Sequence, residues 1–214
     1  MTGSGPDTGS TVPGMTAPSA NLLSRALDTP GEPPLRPLPP VVAELLRTLG
    51  APPRLAAHLR AVHDVAARLT AWVRDRYPDA PVDHDAVLLG AATHDVGKIL
   101  HPGELTGPGS AHETAGRDLL LSHGFTPAAA RFAATHASWD DPAVTIEDLL
   151  VSTADKVWKD KRVPGLEDRL LRELTAVTGR EPWQEYLALD DILTRLGADA
   201  PHRLAFQAAF PVNG

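Results

Sequence analysis

The 214-residue chain carries 27 Asp and Glu against 20 Lys and Arg, and its formal charge of −7 excludes the broad positive surface that bulk nucleic-acid binding needs. With 43% hydrophobic and 22% charged residues it has the composition of an ordinary globular domain, long enough to bury a real core. It has no cysteine, which excludes disulfides, thiolate metal sites and thiol catalysis; nine histidines leave nitrogen and oxygen donors as the route to a metal.

Residues 1–40 are rich in Gly, Ser, Thr and Pro and end in "TPGEPPLRPLPP". Such a segment cannot bury enough apolar surface to offset its ordering entropy, so a disordered leader is expected, with "NLLSRALD" able to form a short helix inside it. The opening "MTGSGPDTGSTVPGMTAPSA" lacks the basic start and apolar centre of a signal peptide. No apolar run approaches the roughly 18 residues of a membrane span, so no membrane association and a cytoplasmic location are expected.

A helical domain is expected over residues 41–210. "VVAELLRTLG" reads as a short helix closed by Gly50. From Pro53 onward an apolar stripe runs through Leu55, Leu59, Val62, Ala66, Leu69 and Val73, spaced by threes and fours. Asp83 or Asp85 can cap the next helix, which ends in "GAATHDVGKIL", and "LHPGELTGPGS" is a loop. Ser110 followed by Glu113 has the spacing of a capping box. Thr126-Pro127 opens a further helix, Thr145 can cap "IEDLLVSTADKVWKDK", and two more amphipathic helices are expected near 166–177 and 182–196. Strand-type alternation is nearly absent, so the fold class is all-α.

Adjacent His94 and Asp95 at the end of an apolar helix have an ordinary explanation as polar residues meeting solvent. Their company argues otherwise. His112 falls in the first turn of the next helix, His136 near the end of the one after, and Asp155 inside the apolar run "LLVSTADKVW". A carboxylate there is costly unless a cation or hydrogen bonds compensate it. The long upstream helix adds His58 and His63, five residues and about 140° apart, so both are not expected to reach one centre.

The order His, His-Asp, His, His and a distant Asp resembles the HD-domain superfamily of metal-dependent phosphohydrolases. "HDVGK" is similar to that family's signature, and "HETAG" and "TADKVWK" are similar to its later motifs, the resemblance covering about half of the chain. It implies an HD-domain-like helical bundle. It also implies His94, Asp95 and Asp155 as core metal ligands with one upstream histidine, and His112 and His136 as added ligands where two metals are held, Asp95 bridging them. The family's first motif, His-x-x-x-Val, fits "HLRAV" from His58, with His63 in "VHDVA" as the alternate.

Imidazole and carboxylate donors suit one or two divalent ions among Fe, Mn, Co, Ni, Zn and Mg. Two such ions can activate water and stabilise the oxygens of a phosphoryl displacement, with Asp95 and Lys98 in catalytic roles. Lys98, Lys156 and Lys159 are candidate contacts for a small phosphorylated substrate such as a nucleotide, and Trp139 is a candidate for stacking on a base. The same ligand order resembles that of relatives holding two irons for oxidation of a C–H or C–C bond, which stands as the alternative; a non-catalytic nucleotide-binding domain is the third reading. The Gly-Tyr-Pro tripeptide of cyclic-dinucleotide relatives is absent, "HASWDDP" following His136 instead.

Overall fold

The computed structural model describes residues 17–212, which among them form ten α-helices and no strand. In chain order these are α1 (Ala17–Asp28), α2 (Pro40–Thr48), α3 (Pro53–Arg76), α4 (His84–Thr93), α5 (Ala111–Ser122), α6 (Pro127–Thr135), α7 (Ile146–Val157), α8 (Pro164–Thr178), α9 (Pro182–Ala198) and α10 (Ala200–Ala208). Two 3-10 turns, Val96–Ile99 and Pro102–Leu105, interrupt the path from α4 to α5. No helix among the described residues is long and apolar enough to cross a membrane.

Helix α3 is the axis of the fold. The stripe from Leu55 to Val73 is fully buried, as its spacing predicts. From Leu55 to His63 the helix is covered on its other faces too, and along its length it packs against α1, α4, α7, α9 and α10. His58, Arg60, His63 and Thr70 are therefore enclosed and need partners. Thr70 Oγ1 donates to Ala66 O at 2.7 Å, and His58 turns toward the site described below. The carboxyl half of α3 packs with α7, α8 and α9; the amino half packs with α1, α2 and residues of α4, α5 and α6.

Buried Arg60 corrects the expected leader. Its guanidinium donates to Ala26 O and Thr29 O at 2.7 Å and to Leu35 O at 3.2 Å. The Arg36 amide also donates to Asp64 Oδ1 at 3.0 Å. Leu23, Ala26, Leu27, Leu35 and Leu38 are buried. Residues 17–40 thus belong to the domain, because hydrogen bonds from α3 satisfy carbonyls that a proline-rich segment cannot pair within itself. Residues 1–16 of the expected leader lie outside the described residues. Beyond the last helix named from the sequence the chain forms one more: in α10 the buried Arg203 donates from Nε to Trp158 O at 2.8 Å and from Nη2 to Leu196 O.

Three predicted helix starts carry their caps. Asp83 Oδ1 accepts from the Ala86 amide at 3.0 Å and Thr126 Oγ1 from the Ala129 amide at 3.2 Å. Thr145 and Asp148 form a reciprocal capping box on α7.

Candidate metal centre

The signature dipeptide lies where α4 stops being α-helical. His94 ends the helix, and Asp95 has φ −104° and ψ 9°, the bridge region between helical and extended backbone. The 3-10 turn that follows lies against the backbone of α5. A Cβ on Gly97 would sit 2.0 Å from His112 O and 2.5 Å from Gly116 N, so glycine is required at this approach. That contact brings His112 opposite Asp95.

Around Asp95 the donors divide by oxygen. Oδ2 lies 3.0 Å from His58 Nε2 and 3.6 Å from His94 Nε2, whereas Oδ1 lies 3.1 Å from His112 Nε2 and 3.5 Å from His136 Nε2. Two buried triads result, His58–His94–Asp95 and Asp95–His112–His136, each with ligand atoms within 4.8 Å of one another. Asp155 flanks the first triad, its Oδ1 3.4 Å from His94 Nε2 and 3.8 Å from His58 Nε2.

The rings are oriented from behind. His94 Nδ1 lies 3.0 Å from Ala91 O and His136 Nδ1 3.1 Å from Ala133 O, in each case the carbonyl three residues back. A carbonyl only accepts, so Nδ1 carries the proton and the Nε2 lone pair faces the centre, the tautomer a cation requires. His112 Nδ1 lies 2.5 Å from Glu104 Oε2. The His58 ring stands edge-on to Trp158 with centroids 4.8 Å apart.

Electrostatically the cluster is poised for a cation. Burial pushes the His58 and His136 imidazoles toward the neutral form, His136 to about 4, with neighbouring His94 adding to the effect. Burial alone would raise Asp95 and Asp155, but for Asp95 the surrounding histidines, and for Asp155 the contact with His94 and the charge of Lys156, outweigh it and hold both below the ordinary carboxylate range. On His112 burial acts downward, yet the nearby carboxylates of Asp95 and Glu104 raise it.

Two lysines border the carboxylates: Lys98 Nζ is 2.6 Å from Asp95 Oδ2, and Lys156 Nζ 2.7 Å from Asp155 Oδ2. Lys98 arrives through the 3-10 turn and not by continuation of α4. Lys159 is exposed, 5.7 Å from the Trp158 ring centroid. Arg162 is committed elsewhere, to Glu167 at 2.7 Å and Asp190 at 2.9 Å. Trp139 is half-buried against the core cluster and Gly165, the ordinary role for such a ring.

His63 is buried away from the centre, on a cavity of about 830 Å³ walled by residues 34–40, Leu88 and Leu89. Burial and the charges of Arg36 and Arg60 depress its pKa to about 4, surroundings that repel a second cation. The capping box expected from Ser110 and Glu113 is absent, since Ser110 makes no side-chain cap. Glu104, which sequence reasoning missed, accepts from the Ala111 amide at 3.2 Å and the His112 amide at 3.3 Å. Only its place in the loop before "AHETAG" could have drawn attention to it.

The donor set fits a divalent metal. Asp95 Oδ1 and His112 Nε2 are buried without a hydrogen-bond partner despite their 3.1 Å approach, and four histidines with two carboxylates are the donors expected of a borderline or hard ion. A family model described as the HD domain matches residues 55–159. No curated protein and no solved structure matches the chain. The matched segment begins in the first turn of α3 and ends just beyond α7, enclosing every residue of both triads and Asp155; residues 55–159 are an HD domain, which supports a metal-dependent hydrolase-type enzyme in general.

Proposed function

We propose that the protein is a phosphohydrolase acting on a nucleotide or another small phosphoester. The observation that carries this reading is the sharing of Asp95 by two triads, with a lysine beside Asp95 and another beside Asp155. His58, His94 and Asp155 with one oxygen of Asp95 would hold one ion, and His112 and His136 with the other oxygen a second. Ions so held supply an activated water and absorb charge developing on phosphoryl oxygens.

The remaining work falls to the chain's own side chains. The Nδ1 protons of His94 and His136, held on carbonyls, keep both imidazoles in the ligating tautomer through the cycle. Lys98 and Lys156 are placed to trade their carboxylates for the oxygens of an anionic substrate once a cation neutralises Asp95 and Asp155. Trp158, packed on His58, keeps that face of the centre dry.

The test is turnover of a panel of phosphomonoesters, nucleotides and cyclic or bridged dinucleotides by metal-reconstituted protein. Phosphate release or phosphodiester opening that stops with chelator and returns with added divalent ion supports the reading. Inactivity across the panel, with dioxygen consumed by an iron-loaded sample, would move the protein to oxidative chemistry.

A further inference from the structure

The histidines of the centre are not all oriented by the same means. His94 and His136 end their helices, so each has a carbonyl of its own helix three residues back to receive Nδ1–H. His112 is the second residue of α5, and three residues before it stands Gly109, in the loop. A first-turn histidine has no helical carbonyl behind it, and its acceptor must come from elsewhere.

Glu104 supplies that acceptor. Its Oε2 meets His112 Nδ1 at 2.5 Å while its two oxygens receive the Ala111 and His112 amides, doing what Ser110 does not. The loop is shaped for this: a Cβ on Gly109 would lie 2.4 Å from Glu104 Cδ, so only glycine lets the carboxylate fold back so far. We infer that Glu104 is a positioning residue whose contact with His112 Nδ1 sets the affinity of the Asp95–His112–His136 triad for a divalent ion, leaving the His58–His94–Asp95 triad independent of the loop.

This rests on the two-ion reading of the centre. The test is calorimetric titration of the metal-stripped full chain with Mn²⁺, followed by spin-resonance detection of a coupled ion pair. Glu104→Gln is expected to weaken the second ion by about 10–100-fold, the usual cost of removing the partner of a ligating histidine, with the first ion unchanged and the coupled signal lost. A Glu104→Ala/Ser110→Asp double variant gives α5 a side-chain cap again without touching Nδ1. It is expected to fold with near wild-type melting temperature and still bind the second ion weakly. Unchanged second-ion affinity in Glu104→Gln, full recovery in the double variant, or equal loss of both ions would each overturn the inference. A wild type that binds a single ion would overturn the two-ion reading along with it, an outcome distinct from these.

Discussion

Lys98 Nζ lies 2.6 Å from Asp95 Oδ2, the same oxygen that His58 approaches at 3.0 Å. A cation bound between Asp95 and His58 would compete with the ammonium for that oxygen and would free the lysine toward an entering anion. Lys98→Met is therefore expected to retain metal yet lose turnover of a phosphorylated substrate by about tenfold or more, the scale of a hydrogen bond to a charged group. Metal content and kcat/KM measured on the same sample check both halves.

The two histidines of α3 separate cleanly in space. His58→Ala is expected to release metal from the first triad, whereas His63→Ala, on the far cavity between Arg36 and Arg60, leaves metal content unchanged. Elemental analysis of the two variants side by side decides this; equal losses would contradict the assignment.

The amino-terminal boundary has a direct consequence for stability. A chain beginning at residue 41 loses buried Leu23, Leu27, Leu35 and Leu38 and strips Arg60 of three carbonyl acceptors. Each buried leucine contributes roughly 1.5–3 kcal/mol at most, so this truncation is expected to melt far below the full chain or to aggregate. A chain beginning at residue 17 keeps every one of these contacts and should melt well above the shorter one.

Glu185, fully buried at the junction of α3 and α9, accepts from Arg76 Nε at 2.7 Å and Nη2 at 2.9 Å and from the Tyr77 hydroxyl, with Arg180 at 3.7 Å. Burial acts to raise its pKa, but the hydrogen bonds from Arg76 and Tyr77 and the charge of Arg76 together hold it below the ordinary glutamate value. A depressed carboxylate contributes stability above its unfolded pKa, near 4.3, and that contribution disappears as pH falls through the folded value. Glu185→Gln is thus expected to cost about 1–3 kcal/mol at neutral pH and progressively less on acidification. Melting curves from pH 7 down to pH 3 read the closing gap.

How far the fold was legible can be judged from α3. Its apolar stripe recurs at helical spacing, and every member is buried. The same helix hid the choice between its histidines, because its amino-terminal half, covered on every face, buries His58 and His63 alike, at 7% and 3% exposure. Burial cost therefore did not distinguish them; the likeness of "HLRAV" to a family motif pointed to His58. Composition misjudged residues 17–40, since what orders a proline-rich segment here is an arginine lying 20 or more residues further on, a pairing no local window contains. Glu104 was illegible for a related reason: its role depends on a loop closing over Gly109 and on a histidine that its own helix cannot orient.

Elemental analysis of the reconstituted, desalted protein reads out the proposal that Asp95 joins two triads around divalent metal. Two tightly held ions per chain, both lost together in Asp95→Asn, is the result predicted. A chain that retains no ion under conditions where it is folded would contradict it.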